Sequence, residues 1–205
     1  MILMTDPLPE FPVSRPVIVS SYQPAWTDEF RIIAERIRKI VGPAAQRIDH
    51  VGSTAVSGLG AKDVIDIQIT VGNLDETDEL TGPLRLVGFR QGTEFVYDIF
   101  HKMPETDPDL RKLYMREPEG ERRTHIHIRE LGRFNQRYAL LFRDYLRSSP
   151  QASAEYELFK RRASQLFPNS IDGYLYLKDP VLHIIYEAAC CWARQVNWSS
   201  TDDFV

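Results

Sequence analysis

The stretch of residues 47–69 constrains the fold of this chain more than any other feature, because it contains a polar turn between two strand patterns. Residues 46–51 predict a first strand and residues 64–71 a second, in which branched apolar residues stand at every other position. This period of two places Asp66 and Gln68 on the face opposite to the isoleucines. The stretch therefore predicts a strand, a turn and a half-buried strand whose polar face carries a carboxylate.

The turn contains Gly52, Ser53 and Thr54, and a segment of small residues then leads to Lys62. Backbone N–H groups, two hydroxyls and an amine can bind an anion, so these four residues are candidate phosphate ligands. Residues 55–61 are long enough for one or two helical turns. A Walker A loop is excluded because its Gly-Lys-Ser/Thr is missing. The alternative interpretation is a purely structural turn between two strands.

Asp66 is the candidate metal ligand of this stretch. A carboxylate on the polar face of a strand can hold Mg²⁺ with few protein ligands when substrate phosphates supply the remaining oxygens. Gln68 shares that face and is a second candidate ligand, since its carbonyl oxygen can coordinate a cation without adding charge. The competing interpretation makes Asp66 an ordinary solvent-facing strand residue.

Another strand pattern covers residues 124–129 and places His125, His127 and Arg129 on one face. Two imidazoles at this spacing can ligate one metal ion or serve as acid and base. His125 is therefore a candidate metal ligand, and His127 is the first candidate for a catalytic general base. A polar strand face without a chemical role is the alternative, because no cysteine or further histidine nearby completes a zinc set.

The rest of the chain predicts helices and one more strand. A first helix runs from Trp26 to Val41, with Thr27 or Asp28 as its cap. The further elements are a helix over 75–87, a strand over 95–101, a loop over 104–121 and three helices after residue 130, the last starting at Asp179-Pro180. This order predicts an α+β fold with one small mixed sheet flanked by helices and a C-terminal helical region.

Composition limits the partners and the compartment. A net charge of −4 and a pI near 5.8 argue against an extended nucleic-acid surface, which needs a positive patch. We expect no membrane span, because no stretch of about 18 apolar residues occurs. The adjacent cysteines Cys190 and Cys191 would form a strained disulfide, so the expected compartment is the reducing cytoplasm.

The same patterns predict the organisation of the 205 residues. Four prolines and few periodic apolar residues over residues 1–16 indicate a flexible N-terminal arm. An α/β core follows over residues 17–130. A helical region over residues 131–197 is expected to pack on this core, and residues 198–205 form a tail.

Residues 48–67 resemble the signature of the GrpB family, an uncharacterised family that is also found fused to dephospho-CoA kinase. They read Ile-Asp-His-Val-Gly-Ser-Thr-Ala-Val-Ser-Gly-Leu-Gly-Ala-Lys-Asp-Val-Ile-Asp-Ile. The likeness extends to the Tyr-x-Pro-x-Trp of residues 22–26, to the His-Ile-His of residues 125–127, and to residues 142–146 with the following Tyr156 and Lys160. It covers about residues 17 to 195. Ser57 and Asp63 stand where the family pattern has prolines.

GrpB proteins are similar to the nucleotidyltransferase fold, in which a Gly-Ser turn meets a triphosphate and carboxylates on the next strand bind metal ions. The resemblance implies that residues 52–53 contact the triphosphate and that Asp66 is the first carboxylate. Gln68 occupies the second carboxylate position, which departs from the pattern of active enzymes. Asp98 and the strand of residues 125–127 are the candidates for the third position.

Two functional hypotheses follow. The first is a GrpB-family nucleotidyltransferase-like protein that uses Mg²⁺ to transfer a nucleotidyl or phosphoryl group to an acceptor. The second is a non-catalytic module that binds a nucleotide or a phosphorylated metabolite and has lost the metal pair. Gln68 favours the second hypothesis, because a single carboxylate holds a second cation poorly.

Overall fold

The computed structural model describes residues 9–200, and within them the strands form one mixed sheet. The strands are β1 Arg47–Val51, β2 Ile65–Val71, β3 Arg90–Gly92, β4 Leu113–Arg116 and β5 Thr124–Glu130. Their order across the sheet is β1-β2-β5-β4-β3. β2 and β5 are parallel, and the other neighbours are antiparallel.

Helices flank this sheet and continue the chain after β5. They are α1 Ala25–Val41, α2 Asp78–Leu86, α3 Phe134–Ser148, α4 Pro150–Leu166 and α5 Ile171–Val196. The predicted α+β class is confirmed, as are the small mixed sheet and the helical C-terminal region. None of the helices in residues 9–200 combines the length and the apolar sequence needed to span a membrane.

The apolar face of the sheet packs against α1 and α2 to form the main core. In α1, apolar residues recur at helical spacing, and Trp26, Phe30 and Ile37 are buried in this core. The facing layer of the sheet is formed by Ile65, Ile67, Ile69, Ile126 and Ile128. Each of these five is 0% exposed, and burial of this face holds both strands in register, because a slip of one residue would turn the isoleucines away from the core.

α3 covers part of the opposite, polar face of the sheet. Arg143 of α3 is 0% exposed and donates to the carbonyl oxygen of His50 at 3.0 Å, which ties the helix to β1. Gln136, also on α3, accepts a hydrogen bond from the polar face of β2. The other end of this face stays open, since the side chains of Asp66 and His125 are 29% and 22% exposed.

The predicted strand over residues 95–101 is wrong. Sheet pairing in this segment consists of an isolated bridge between Tyr97 and Arg111, and the regular strands β3 and β4 lie on either side of it. Phe100 instead packs among the C-terminal helices, with its ring centre 4.7 Å from that of Phe134. The apolar and aromatic residues of this segment therefore make tertiary contacts and do not form a regular strand ladder.

The predicted start of the last helix at Asp179 is also wrong, because α5 begins at Ile171. Ser170 caps this helix by accepting a hydrogen bond from the backbone N–H of Gly173 at 3.3 Å. Pro180 lies inside the helix, although proline is usual in a first turn and costly in an interior. The proline signal therefore marked a position within a longer helix.

Two local expectations near the site need correction as well. Pro24 is the N-cap of α1, and neither Thr27 nor Asp28 caps it, since no side-chain bond is present at that end. Residues 55–61 contain no α-helix; a short 3₁₀ turn, Ser53–Ala55, directly follows β1 instead.

The predicted arm and tail lie partly outside the described residues, at 1–8 and 201–205. Of the rest of the arm, Ser14 donates its backbone N–H to the carbonyl oxygen of Asn169 at 2.8 Å. The ring of Phe11 lies 5.1 Å from that of Phe167, centre to centre. Residues 9–16 thus contact the turn between α4 and α5.

Candidate functional site

The predicted turn, carboxylate and histidine strand meet at the open end of the sheet. In the strand register, Asp66 on β2 lies opposite Val51 on β1 and His125 on β5. Because Val51 is the last residue of β1, the chain enters the turn directly beside Asp66. Nδ1 of His125 lies 3.2 Å from Oδ1 of Asp66. The pairing of β2 with both neighbours therefore brings these groups together.

Gly52 places the backbone of the turn against the carboxylate. Its φ of +71° lies in the left-handed region that favours glycine. A Cβ atom at this position would lie 2.4 Å from Oδ2 of Asp66. The position thus requires glycine for its conformation and also for the space that the carboxylate occupies.

Asp66 is ionised at neutral pH. Burial acts to raise its pKa, but the hydrogen bond with His125 and the electrostatic effects of His125, His127 and Lys178 lower the pKa to about 2. The site therefore presents a negatively charged carboxylate close to two histidines and a lysine.

Asp66, His125 and His127 form a candidate cation site. One ligand atom from each of the three lies within 4.8 Å of the others. The donors are one carboxylate and two imidazoles, and imidazole nitrogen suits first-row transition metals, whereas Mg²⁺ takes oxygen ligands. This donor set therefore fits a transition metal better than the Mg²⁺ expected from the sequence.

Gln68 lies outside this group of ligands. It is 0% exposed, and its Oε1 accepts a hydrogen bond from Nη1 of Arg129 at 2.7 Å. Its Nε2 donates to the carbonyl oxygen of Gln136 at 3.1 Å. Both ends of the amide are engaged within the protein, so in this arrangement Gln68 has a structural role and its oxygen is not directed at a cation.

Asp98 is likewise engaged by protein groups. Arg129 donates to it through Nε at 2.8 Å and Nη2 at 3.0 Å, Lys112 donates at 2.6 Å, and Asn135 donates at 3.0 Å. Burial acts to raise the pKa of Asp98, but the positive charges of Arg129 and Lys112 hold it well below its ordinary value. Asp98 is therefore the counterion of two buried cations and not a free third carboxylate.

His127 is neutral at pH 7. Burial lowers its pKa well below 6.5, and the charges of Lys112 and Arg129 lower it further. Nζ of Lys112 lies 3.3 Å from Nδ1 of His127 and also bonds to Asp98. When Lys112 is charged, Nδ1 accepts this bond and Nε2 carries the ring proton. In that tautomer Nε2 is a hydrogen-bond donor, whereas a metal or a general base requires it to be unprotonated.

The two hydroxyls of the turn have different surroundings. The hydroxyl of Thr54, a residue that is 1% exposed, donates to the carbonyl oxygen of Val64 at 3.3 Å and lies 3.0 Å from Nε2 of His50. These bonds hold the turn against β1 and β2. Ser53 is partly exposed and hydrogen bonds to the buried side chain of Tyr156. Ser53 is therefore the more accessible of the two hydroxyls.

Lys62 contributes positive charge on the same side of the site. Its Nζ lies 5.2 Å from the ring centre of Tyr174. Burial, followed by the charge of Lys178, lowers the pKa of Lys62 to about 7, and the charge of Asp66 acts in the opposite direction. The pKa of the amine therefore lies near neutral pH, and a bound anion would favour its protonated form.

Two further lysines belong to this region, and sequence reasoning assigned neither a role. Lys160 on α4 is 2% exposed and donates to the carbonyl oxygen of Gly60; burial and the charge of Lys178 lower its pKa to about 6. Lys178 on α5 is close enough to affect the pKa values of Lys62, Asp66 and Lys160. No spacing links these helices to the turn, although the resemblance included Lys160.

The fold and the site define an α+β protein in which a Gly-Ser turn, an ionised carboxylate, two histidines and several lysines meet at the open end of a mixed sheet. The chain belongs to the GrpB family, since the family profile described as GrpB protein matches residues 16–188. The family assignment made from residues 48–67 is thereby confirmed.

Relatives and solved structures agree with this assignment. A dephospho-CoA kinase of Mycolicibacterium paratuberculosis is 36% identical over 197 residues, which are 89% of this chain and 48% of that protein. The chain therefore spans about half the length of this curated relative. The crystal structure of conserved protein GrpB from Enterococcus faecalis has a TM-score of 0.71 and 29% identity, and the match covers 84% of this chain and 96% of that one.

Cid1, a protein with RNA terminal uridylyl transferase activity, shows a looser likeness. The TM-score is 0.48 and the identity 15%, over 78% of this chain and 49% of that one.

Proposed function

We propose that this chain binds a phosphorylated small molecule, with a nucleotide as the first candidate, at residues 52–53 and Lys62. The observation that carries the proposal is the close approach of Gly52 to Asp66, because it sets the predicted phosphate turn beside an ionised carboxylate. A phosphate and a cation are the pair of charges that such a site accommodates together.

The lysines support an anionic ligand. Burial, followed by the charge of Lys178, lowers the pKa of Lys62 in the free protein. A phosphate beside Lys62 offsets this repulsion and favours the protonated amine. Binding is therefore expected to be coupled to proton uptake near neutral pH.

A divalent cation is the second part of the proposal. Asp66 and His125 are its first ligands. His127 becomes the third when Lys112 is uncharged, because Nδ1 can then carry the ring proton and leave Nε2 to bind the ion. Such an ion would supply positive charge to the bound phosphate. On donor chemistry we expect Mn²⁺ or Zn²⁺ to bind more tightly than Mg²⁺.

Transfer of a nucleotidyl or phosphoryl group to an acceptor is the second candidate function. It is favoured by the ionised state of Asp66, which such transfer needs. It ranks second because Gln68 and Asp98, at the positions expected for further carboxylates, both bond to Arg129. Of the three positions 66, 68 and 98, only Asp66 then offers a carboxylate that could bind a pair of metal ions.

Thermal unfolding of the purified chain tests the proposal. Tripolyphosphate and the four common nucleoside triphosphates are each added with Mg²⁺, Mn²⁺, Zn²⁺ or EDTA. A ligand present at 100 times its dissociation constant stabilises the folded state by about 2.7 kcal/mol and raises Tm. No shift with any polyphosphate under any metal condition would refute the proposal.

Variants locate the binding site. Lys62→Met is expected to abolish most of the shift produced by a polyphosphate, and Asp66→Asn to remove the part that depends on the metal. Lys39→Met is the matched control, because Lys39 is an exposed lysine on α1. An equal effect of Lys39→Met and Lys62→Met would indicate nonspecific charge attraction. Product formation from a triphosphate that requires Asp66 would favour the transferase.

A further inference from the structure

An aromatic ring stands beside the two histidines on the open face of the sheet. Tyr114 on β4 pairs with His127 on β5, and its ring centre lies 5.6 Å from that of His127 and 5.7 Å from that of His125. His125 in turn bonds to Asp66. The tyrosine ring therefore lies directly beside two residues of the candidate cation site.

The neighbouring edge strand leaves room for this ring. Gly92 on β3 pairs with Tyr114, and a Cβ atom on Gly92 would lie 2.9 Å from Cδ1 of the tyrosine. Any larger residue at position 92 would displace the ring. The absence of a side chain there lets Tyr114 lie against the backbone of β3 and keep its position beside the histidines.

Phe95 extends the aromatic surface outward. It is 66% exposed, and its ring centre lies 5.9 Å from that of Tyr114 in an edge arrangement. Its φ is +64°, and among residues 9–200 the only other non-glycine residue with positive φ is Asn197, a type that tolerates this conformation. The left-handed backbone is energetically unfavourable for such a residue, because its Cβ atom crowds the following carbonyl oxygen.

Contacts within the folded protein offset little of this cost, because most of the Phe95 side chain remains in contact with water. Strained residues of this kind cluster at ligand-binding sites, where the bound partner makes use of the enforced position. An exposed aromatic face next to a phosphate and cation site suits the planar ring of a nucleotide, since bases stack on aromatic side chains.

We propose that Phe95 and Tyr114 form a subsite for a nucleobase, so that the ligand of this chain is a nucleotide and not a simple phosphate or polyphosphate. The inference rests on the proposed function, because the phosphates of the same molecule occupy the turn and Lys62. The base then lies over Phe95 and Tyr114, and the phosphates extend past His125 toward Asp66.

Calorimetric titration with ATP and with tripolyphosphate, both with Mn²⁺, separates the two parts of the ligand. Phe95→Ala is expected to weaken ATP binding about tenfold, an ordinary value for loss of one stacking contact. Tripolyphosphate binding should change less than about twofold, because it has no base. Phe95→Trp should retain ATP binding, since it restores an aromatic face.

Ile99→Ala is the matched control, because Ile99 is an apolar residue of the same segment and is 72% exposed. It should alter neither titration. The inference is overturned if Phe95→Ala leaves ATP binding unchanged, or weakens ATP and tripolyphosphate equally. It is also overturned if the unaltered chain binds tripolyphosphate as tightly as ATP, although the proposed function then stands. Failure to bind either compound would also overturn the inference, and the thermal-unfolding screen over all nucleotides and metal ions then decides whether the proposed function stands.

Discussion

Gly52 combines a left-handed backbone with the closest approach of the turn to Asp66. Gly52→Ala is expected to lower the free energy of unfolding by about 2–4 kcal/mol, of which about 1–2 kcal/mol is the backbone term. Urea denaturation measures the loss. Gly58→Ala is the matched control: its φ is +80° and no atom lies within 4 Å of the added Cβ, so it carries the backbone term alone. Equal losses would contradict the contact with Asp66.

Gln68 is expected to act on stability. Gln68→Leu leaves the guanidinium of Arg129 and the carbonyl of Gln136 without this buried partner, at a cost of about 1–3 kcal/mol in urea unfolding. Thr70→Val is the control on the same strand face, because Thr70 takes part in a long bond of 3.5 Å and the two side chains have nearly equal shape. A Gln68→Leu variant as stable as the original chain would speak against the structural role.

Lys62 makes stability depend on pH. Its pKa falls from 10.5 to about 7 on folding, so the unfolded chain holds this proton more strongly between those values. The buried ammonium group destabilises the folded state most below pH 7, and this destabilisation disappears as the pH rises toward 10.5. Lys62→Met should therefore gain more stability over the original chain at about pH 6.5 than at about pH 9.5.

Urea midpoints at the two pH values measure this difference. Lys39→Met, on the surface of α1, should show no such pH dependence. The same gain for Lys62→Met at both pH values would mean that the amine keeps its ordinary pKa in the folded protein.

At the scale of elements, α5 contains an interior proline that the chain tolerates. Pro180 is exposed and removes one backbone hydrogen bond from the helix Ile171–Val196. Pro180→Ala is expected to raise the free energy of unfolding by about 1–3 kcal/mol. Ile184→Ala, at a position 69% exposed in the same helix, should change it by less than about 0.5 kcal/mol. A loss of stability on Pro180→Ala would show that packing depends on a bend at the proline.

Element prediction succeeded where period and burial agree. α1 and β2 follow their apolar spacing closely, because one face of each is buried in the main core. The segment 95–101 is also rich in apolar residues, but Phe100 packs against the C-terminal helices and Asp98 bonds to Arg129. Periodicity reports that residues are buried, and it does not report which element buries them.

At the scale of the whole molecule, α3 joins the helical region to the sheet. Arg143 is buried between them and bonds to β1, so we expect the two parts to unfold together. Trp26 lies in the main core, whereas Trp192 and Trp198 lie in the helical region.

Fluorescence can follow each part separately. The Trp26→Phe variant reports on the helical region, and the Trp192→Phe/Trp198→Phe variant on the main core, because the chain has three tryptophans. In each variant the fluorescence midpoint in urea should coincide with that from far-UV circular dichroism. Separate midpoints would define two independently unfolding units.

The sequence by itself determined the turn at residues 52–54, the facing of Asp66, the α+β class and the family, because these depend on local spacing and on a contiguous motif. Tertiary structure alone decided that Gln68 and Asp98 bond to Arg129, that Lys178 lowers the pKa of Lys62 and that Tyr114 lies beside the histidines. These outcomes depend on which distant elements meet. A buried polar group forms hydrogen bonds with groups from whichever elements the fold places beside it, and these partners cannot be predicted from the local spacing of residues.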